Sequence, residues 1–293
     1  MQKSINGATF RKMVLAGVSL LEQNKEYIDS LNVFPVPDGD TGTNMFLTMK
    51  SAVNEINKCM NSDLASLSEA FSKGALRGAR GNSGVITSQI FKGFCSVTGG
   101  CKEISTKDFA KAMQEGATIA YKAVTKPKEG TILTVTRVMA ENAVSLAKKH
   151  DDFEVFLKKV IDTGEEILKQ TPEMLPVLKK AGVVDSGGRG ILVIFTGFYR
   201  FIMGDEDLEI SFEDDKQPQT LDDVIADINN LGDIEFGYCT EYMIIHMHKK
   251  TTEADIDKLR EKLMEIGDSV ICIGDLSLVK VHVHTNEPNK ALQ

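Results

Sequence analysis

The chain has 293 residues, of which 42% are hydrophobic and 26% are charged, as is typical of a globular protein with one large and one small domain. Its formal net charge of -8 argues against a nucleic-acid partner, because binding to a phosphate backbone requires a basic surface. No apolar run reaches the roughly 18 residues of a membrane span, and the N-terminus has no apolar signal core. We therefore expect a cytoplasmic protein whose five cysteines are reduced.

Helical periodicity dominates the first two-thirds of the chain. Residues 8–203 carry apolar side chains at helical spacing and contain no convincing strand pattern. Predicted helices include 133–149, 153–169 and 191–203, and the last is apolar on nearly every face, which predicts burial. We expect Thr171-Pro172 to break the helical pattern, because proline lacks the backbone N–H that a helix uses.

The character of the sequence then changes twice. Residues 204–220 contain seven acidic side chains and one lysine, which predicts a solvated linker. Beyond it we predict strands at 242–248, 270–273 and 278–285, and a helix at 256–266 that Gly267 follows as the C′ residue. Residues 221–293 are thus a small α/β domain. Since the chain stops soon after Pro288 with no closing element, we expect this domain to be truncated.

An aspartate-rich turn is the strongest chemical motif. Asp38 and Asp40 lie one glycine apart, so their carboxylates can converge on one hard cation such as Mg2+. Thr43 and Asn44 follow at the start of a predicted helix, whose free N–H groups suit a phosphate. From these residues alone, a plain surface turn that caps a helix is an equally good interpretation. An EF-hand is excluded, because Met49 stands where that loop requires a glutamate.

Three glycine-rich segments lie at the mouths of predicted helices. Residues 78–84 contain backbone amides that can cradle phosphate oxygens and the hydroxyl of Ser83, but they match neither a Walker A motif nor a Rossmann fingerprint. Residues 129–134 start a helix with polar hydroxyls, and 182–190 form a third turn that carries a carboxylate. If the helices pack side by side, these turns gather at one end as a nucleotide site. Turns that only pack helices together remain the alternative.

A cysteine and two histidines recur in the small domain. His282 and His284 alternate along a predicted strand, so both rings point to one face, and Cys239 begins a neighbouring strand. One thiolate and two imidazoles are a plausible zinc set. Spacing alone favours, by a small margin, histidines on a solvated face and a buried thiol. His246 and His248 share another strand face, which we interpret as an exposed edge rather than as competing ligands.

Six motifs, in order, carry a family resemblance that covers nearly the whole chain. They resemble those of the ATP-binding subunits of bacterial fatty acid kinase, which belong to the dihydroxyacetone kinase superfamily with its DhaL-type, or DAK2, domain. The motifs are LNVFPVPDGDTGTNM, KGALRGARGNSGVITSQIF, KPKEGTILTV, AGVVDSGGRG, FGYCTE and VKVHVHT. Six matches in the family's order are highly specific.

The resemblance implies an α+β multidomain protein: an N-terminal all-α, DhaL-like eight-helix barrel over 1–203 that binds ATP at one end, the linker 204–220, and the small α/β domain 221–293. It implies that Asp38 and Asp40 are the catalytic residues and ligate Mg2+. The superfamily's third, upstream aspartate corresponds here to Asn32.

The resemblance also assigns the remaining candidate sites. It favours Zn2+ at Cys239, His282 and His284. It further implies that a set of small and polar residues surrounds the nucleotide: Thr43, Asn44, Gly81, Asn82, Ser83, Thr131, Asp185 and Gly187.

The implied reaction transfers the γ-phosphate of ATP to the carboxylate of a fatty acid, giving an acyl phosphate for phospholipid synthesis. The implied partner is a separate fatty-acid-binding protein, and a homodimer is expected. Two alternatives are a kinase of a small hydroxyl substrate of the dihydroxyacetone type and a non-catalytic nucleotide-binding regulator. The additional small domain argues against the first, and the retained Asp38 and Asp40 argue against the second.

Overall fold

A computed structural model describes residues 2–205 and 235–293 of the chain. The described residues divide into an N-terminal unit, residues 2–120 and 128–205, and a C-terminal unit, residues 121–127 and 235–293. The predicted acidic linker 204–220 lies almost wholly outside the described residues. None of the described helices is both long enough and apolar enough to cross a membrane.

The N-terminal unit is helical, as its periodicity predicts. Within residues 2–205 the helices are α1 Gly7–Ser30, α2 Thr41–Lys58, α3 Leu64–Gly78, α4 Gly81–Thr98, α5 Thr106–Ala123, α6 Ile132–Leu146, α7 Phe153–Met174, α8 Pro176–Ala181 and α9 Ser186–Met203. An isolated bridge pairs Ile5 with Ile104. The closure of these helices into an eight-helix barrel remains a prediction.

Phenylalanine rings and glycine contacts hold the helices together. Edge-to-face pairs run through the core, with 5.1 Å between the ring centroids of Phe71 and Phe91 and 4.9 Å between those of Phe94 and Phe109. Helices α1 and α9 approach so closely that a Cβ added to Gly197 would lie 2.5 Å from the Cα of Gly17. Glycine at this crossing lets the two backbones touch, and the apolar side chains of α1 and α9 that flank the crossing are buried.

Helix α7 contradicts the predicted break at Thr171-Pro172. The helix continues through Pro172 and ends at Met174. Proline removes the N–H that would have bonded the carbonyl of Leu168, four residues earlier. The hydroxyl of Thr171 donates to that same carbonyl at 2.7 Å and so satisfies it. The side chain of Thr171 therefore replaces the hydrogen bond that Pro172 cannot make, and the helix does not break there.

The C-terminal unit is a small antiparallel sheet with one long helix. Its elements are β1 Tyr238–Ile245, α10 Glu253–Ile266, β2 Gly267–Asp275, β3 Leu278–Thr285 and α11 Pro288–Ala291. The strand order is β1-β3-β2, and both pairs are antiparallel. Alternate residues of β3, namely Val279, Val281 and Val283, pack in one core with Ile256 and Leu263 of α10.

Two details of this unit differ from the prediction. Strand β1 begins at Tyr238 and ends at Ile245, because His246 has a φ of 58° and leaves the extended conformation. Gly267 is not a C′ cap: its φ is -169°, and it is the first residue of β2. A Cβ on Gly267 would lie 2.1 Å from the carbonyl oxygen of His284, so glycine is needed there for close strand pairing.

The α1–α9 crossing gives a stability prediction. We expect Gly197→Ala to lower the free energy of unfolding by about 1–3 kcal/mol, because the new methyl group meets backbone rather than a flexible side chain. Urea unfolding followed by circular dichroism measures this loss. Gly100→Ala is the matched control, since the nearest atom to its added Cβ is 3.5 Å away. Equal midpoints for both variants would show that α1 and α9 do not approach at Gly197.

Candidate active site

The acidic turn between α1 and α2 is held in shape by Asn32. The side-chain amide of Asn32 donates to the carbonyl of Val36 at 2.7 Å and to Oδ1 of Asp38 at 3.0 Å. The carbonyl oxygen of the same side chain accepts a hydrogen bond from the hydroxyl of Thr41. Gly39 adopts a left-handed φ of 62°, which permits the tight turn. Asn32 thus holds the position of Asp38.

The two predicted metal ligands lie side by side. Asp38 is open to solvent, yet partial desolvation and the adjacent charge of Asp40 raise the pKa of Asp38 to about 6. A cation shared by the two carboxylates would remove this repulsion. Mg2+ prefers such a pair of oxygen ligands, with water and phosphate completing its shell. The local geometry therefore fits the predicted metal.

The start of α2 is capped from a neighbouring helix. Asp40 is the N-cap residue, but its side chain makes no cap hydrogen bond. Instead, the carboxylate of Asp29, in the last turn of α1, accepts from the backbone N–H of Thr43 at 3.0 Å and from its hydroxyl at 2.6 Å. The Thr43 hydroxyl predicted to face the nucleotide therefore donates to Asp29, and only its lone pairs remain for a ligand.

The first turn of α4 packs against the first turn of α2. Gly81 has a left-handed φ of 55°, and a Cβ added there would lie 2.5 Å from Nδ2 of Asn44. The hydroxyl of Ser83 donates to the backbone carbonyl of Thr41 at 3.4 Å. Asn82 is partly exposed between them. The structure therefore brings the predicted residues Asn44, Gly81 and Ser83 together.

The first turns of α6 and α9 join the same cluster. The hydroxyl of Ser186 donates to that of Thr41 at 3.3 Å, which links α9 to α2. The carboxylate of Asp185 accepts from the backbone N–H of Gly188 at 2.7 Å and from that of Ile132 in α6. A Cβ on Gly187 would lie 3.0 Å from the Cβ of Ile132. These contacts hold the two helix starts next to each other.

Asp185 is buried rather than presented to solvent. Burial raises the pKa of Asp185 to about 7, although its hydrogen bonds from the two helix amides act in the opposite direction. Its observed partners are backbone groups of α9 and α6, so the structure shows a link between helices. A contact with the nucleotide, which the family resemblance implies, stays a prediction.

Four helix N-termini are thus linked: that of α2, which follows the acidic turn, contacts those of α4 and α9, and that of α9 contacts that of α6. At three of them the N-cap side chain makes no cap hydrogen bond; these N-cap residues are Asp40, Arg80 and Thr131. Thr131 instead donates its hydroxyl to the carbonyl of Lys128 at 2.8 Å. Helix N-termini carry partial positive charge and N–H groups outside the helical ladder, which favours an anion such as a phosphate.

The C-terminal unit brings its predicted ligands together. Cys239 lies opposite His284 in the register of β1 and β3, and the ligand atoms of Cys239, His282 and His284 all lie within 4.8 Å of one another. Hydrogen bonding to the two histidines lowers the pKa of the Cys239 thiol to about 7. Soft thiolate and imidazole donors at these distances suit Zn2+.

Glu241 was missed in the sequence analysis and belongs to this cluster. Its Oε1 lies 3.0 Å from Nδ1 of His282, which also lies 3.8 Å from Sγ of Cys239. Burial acts to lower the pKa of His282, but the hydrogen bonds with Cys239 and Glu241 outweigh it and raise that pKa to about 9. Glu241 lies two residues after Cys239 in one strand, so both side chains point to the same face, and this spacing is visible in the sequence.

Comparison with known proteins identifies the family. Residues 35–200 match the DAK2 domain family, and residues 235–293 match the middle domain of FakA-like fatty acid kinase subunits. Protein YloV of Bacillus subtilis is 45% identical over 99% of this chain and 53% of its own length. An uncharacterized protein of Staphylococcus epidermidis is 44% identical over 98% of this chain and 52% of its own. The chain thus spans about half the length of these curated relatives.

A solved structure shares the fold. The dihydroxyacetone kinase of C. freundii, crystallised with AMP-PNP and Mg2+, superposes with a TM-score of 0.50 at 15% identity, over 69% of this chain and 35% of the kinase. With the family match over more than half of its residues, the chain belongs to the DAK2 domain family and combines that domain with a FakA-like middle domain.

Proposed function

We propose that this chain is the ATP-binding part of a kinase that transfers the γ-phosphate of ATP to the carboxylate of a fatty acid. The observation that carries the proposal is the acidic turn of Asp38 and Asp40, set among the N-termini of α2, α4, α6 and α9. Two carboxylates favour a divalent cation, and the helix amides beside them favour phosphate oxygens. Together they form a site for a metal-bound triphosphate.

Asp38 and Asp40 would hold Mg2+, which supplies positive charge to the transferring phosphoryl group. The first-turn amides of the four helices would orient the phosphates, with the side-chain amides of Asn44 and Asn82 as donors and Ser83 beside them. Positioning and charge neutralisation supply most of the catalysis in phosphoryl transfer. A fatty acid carboxylate is ionised at neutral pH, so this reaction needs no general base, and we nominate none.

The substrate assignment rests on the C-terminal unit. Its match to the middle domain of FakA-like fatty acid kinase subunits favours an acyl substrate, presented by a separate fatty-acid-binding protein. A small hydroxyl substrate, as the shared fold with dihydroxyacetone kinase suggests, is the second candidate. That reaction would require deprotonation of an alcohol, so the two candidates differ in their need for a base.

Zn2+ is the second proposed metal, held by Cys239, His282 and His284. The thiolate and one imidazole nitrogen are 3.8 Å apart, a separation that two ligands of one tetrahedral ion can adopt. Oε1 of Glu241 lies 3.0 Å from that same nitrogen, Nδ1 of His282, so Glu241 would stand beside the metal as an oxygen donor for its fourth position. A metal here would tie β1 to β3 and so stabilise the small sheet.

Metal-dependent ATP binding is the first test. We expect the chain to bind ATP in calorimetry only when Mg2+ is present, and Asp38→Asn or Asp40→Asn to weaken that binding by about tenfold or more, because each removes a charged ligand. Asp63→Asn, which changes an exposed aspartate at the start of α3, is the control and should bind normally. Unchanged binding in both site variants would refute the metal site.

Turnover is the second test. With Mg2+, ATP and oleate loaded on a fatty-acid-binding protein, we expect ADP release and an acyl phosphate that hydroxylamine traps as the hydroxamate. Dihydroxyacetone in place of oleate should give neither product, and Asp40→Asn should abolish both. Turnover with dihydroxyacetone but not with the loaded fatty acid would favour the second candidate substrate.

Zinc content is the third test. Elemental analysis should find about one zinc per chain, and Cys239→Ser together with His284→Ala should remove it, because both change ligand atoms of the same site. A chelator should also lower the thermal stability of the parent chain more than that of the double variant. A zinc-free protein with normal stability would contradict the assignment.

A further inference from the structure

Asp40 differs from every other aspartate N-cap among the described helices of the N-terminal unit. Asp63, Asp152 and Asp185 each use the side chain to cap their own helix, accepting from backbone N–H groups at 2.8, 2.8 and 2.7 Å. Asp40 occupies the same helix position, and its backbone carbonyl accepts from the N–H of Asn44 at 2.8 Å. Its carboxylate nevertheless lies against Asp38 and not on the helix.

The amide that Asp40 would normally cap is already bonded. An N-cap aspartate accepts from the N–H two or three residues onward. Here the N–H three residues onward is that of Thr43, and the Asp29 carboxylate, reaching across from α1, bonds it at 3.0 Å. The second oxygen of Asp29 accepts from the Thr43 hydroxyl at 2.6 Å, so both oxygens are engaged on α2.

We infer that Asp29 is a positioning residue that caps α2 in place of Asp40 and so leaves the Asp40 carboxylate free to ligate the metal beside Asp38. This inference rests on the proposed metal site. Without Asp29, the N–H of Thr43 would lose its partner, and the side chain of Asp40 occupies the N-cap position from which an aspartate normally bonds that N–H. Capping its own helix would turn Asp40 away from Asp38, so metal binding and helix capping would compete for one carboxylate.

The same contacts argue that Asp29 is not a third metal ligand. Its two oxygens are committed to one residue, Thr43, and not to the acidic turn. Two carboxylates then leave positions on Mg2+ for phosphate oxygens and water, the usual arrangement in phosphate-transfer sites. Capping requires only an acceptor oxygen, whereas long-range attraction of the metal requires the charge and ligation is weakened without it.

Replacement by asparagine separates these roles. Asparagine keeps an oxygen for the Thr43 N–H and an NH2 group for the Thr43 hydroxyl, but it carries no charge. We therefore expect Asp29→Ala to raise the Mg2+ concentration that half-saturates ATP binding by about fivefold, the factor that one helix cap corresponds to. Asp29→Asn should stay close to the parent value.

The experiment titrates Mg2+ at fixed ATP by calorimetry and measures the urea midpoint of each variant. Asp63→Ala is the matched control: it removes an N-cap aspartate from α3, so we expect it to lower the urea midpoint without changing the Mg2+ requirement. A double variant with Asp40→Asn tests the coupling, because Asp29→Ala should cost nothing further once the Asp40 carboxylate is gone.

Three outcomes would overturn the inference. Asp29→Ala could require no more Mg2+ than Asp63→Ala, which would make Asp29 a stabilising cap only. Asp29→Asn could need as much Mg2+ as Asp29→Ala, which would assign the effect to the charge of Asp29. If Asp29→Ala does not fold, a higher Mg2+ requirement of Asp29→Asn than of the parent chain would lead to the same conclusion. The effects of Asp29→Ala and Asp40→Asn on the Mg2+ requirement could also add in the double variant, which would show that Asp29 does not act through Asp40. A parent chain that binds ATP without Mg2+ would instead refute the proposed metal site.

Discussion

The candidate site depends on the side chain and backbone of one buried threonine. The hydroxyl of Thr41 donates to the side chain of Asn32 and accepts from that of Ser186. The backbone carbonyl of Thr41 accepts from the hydroxyl of Ser83. These bonds join the acidic turn, the start of α9 and the start of α4 at the first residue of α2. Because Thr41 is only 5% exposed, these hydrogen bonds form away from water, where losing a partner is costly.

Negative carboxylates and partially positive helix N-termini lie next to each other around Thr41. Asp38 and Asp40 place two negative groups together, and partial desolvation together with the charge of Asp40 raises the pKa of Asp38. The helix starts of α2, α4 and α9, which Thr41 joins, carry partial positive charge beside this turn. Such carboxylates could cap the helix starts, but the Asp40 side chain makes no cap hydrogen bond, so it remains available to a cation and the helix amides remain available to an anion. A magnesium-bound triphosphate carries both kinds of charge: Mg2+ suits the carboxylates, and the phosphate oxygens suit the helix amides.

Local sequence signals predicted much of this arrangement. Asp38 and Asp40 are recognisable because they are two residues apart, and β3 was predicted with its observed limits because valines alternate with polar residues along it. The proline in α7 misled the prediction, since the hydroxyl that compensates for it is visible only in three dimensions. Strand β1 was misplaced because alternation continues in the sequence beyond His246, where the backbone has already turned.

Contacts between helices were beyond the reach of these signals. Asp29 lies fourteen residues before Thr43 in an ordinary helical stretch, and only the packing of α1 beside α2 turns it into a cap. The link from Asp185 to the amide of Ile132 likewise joins segments far apart in the chain. A single sequence shows which residues can donate or accept, but the fold decides which of them meet.

The glycines of the three motifs illustrate the same limit. In the sequence they favour loops that cradle phosphate. In the structure a Cβ on Gly84 would lie 2.4 Å from the hydroxyl of Thr48, and one on Gly188 would lie 2.7 Å from a methyl group of Val135. These glycines allow the N-terminal parts of neighbouring helices to touch. Because the N–H groups of a helix start point along its axis, helix starts that touch can offer such groups to one ligand. Close packing and phosphate binding are therefore not alternative explanations of the motifs, since the first produces the geometry that the second needs.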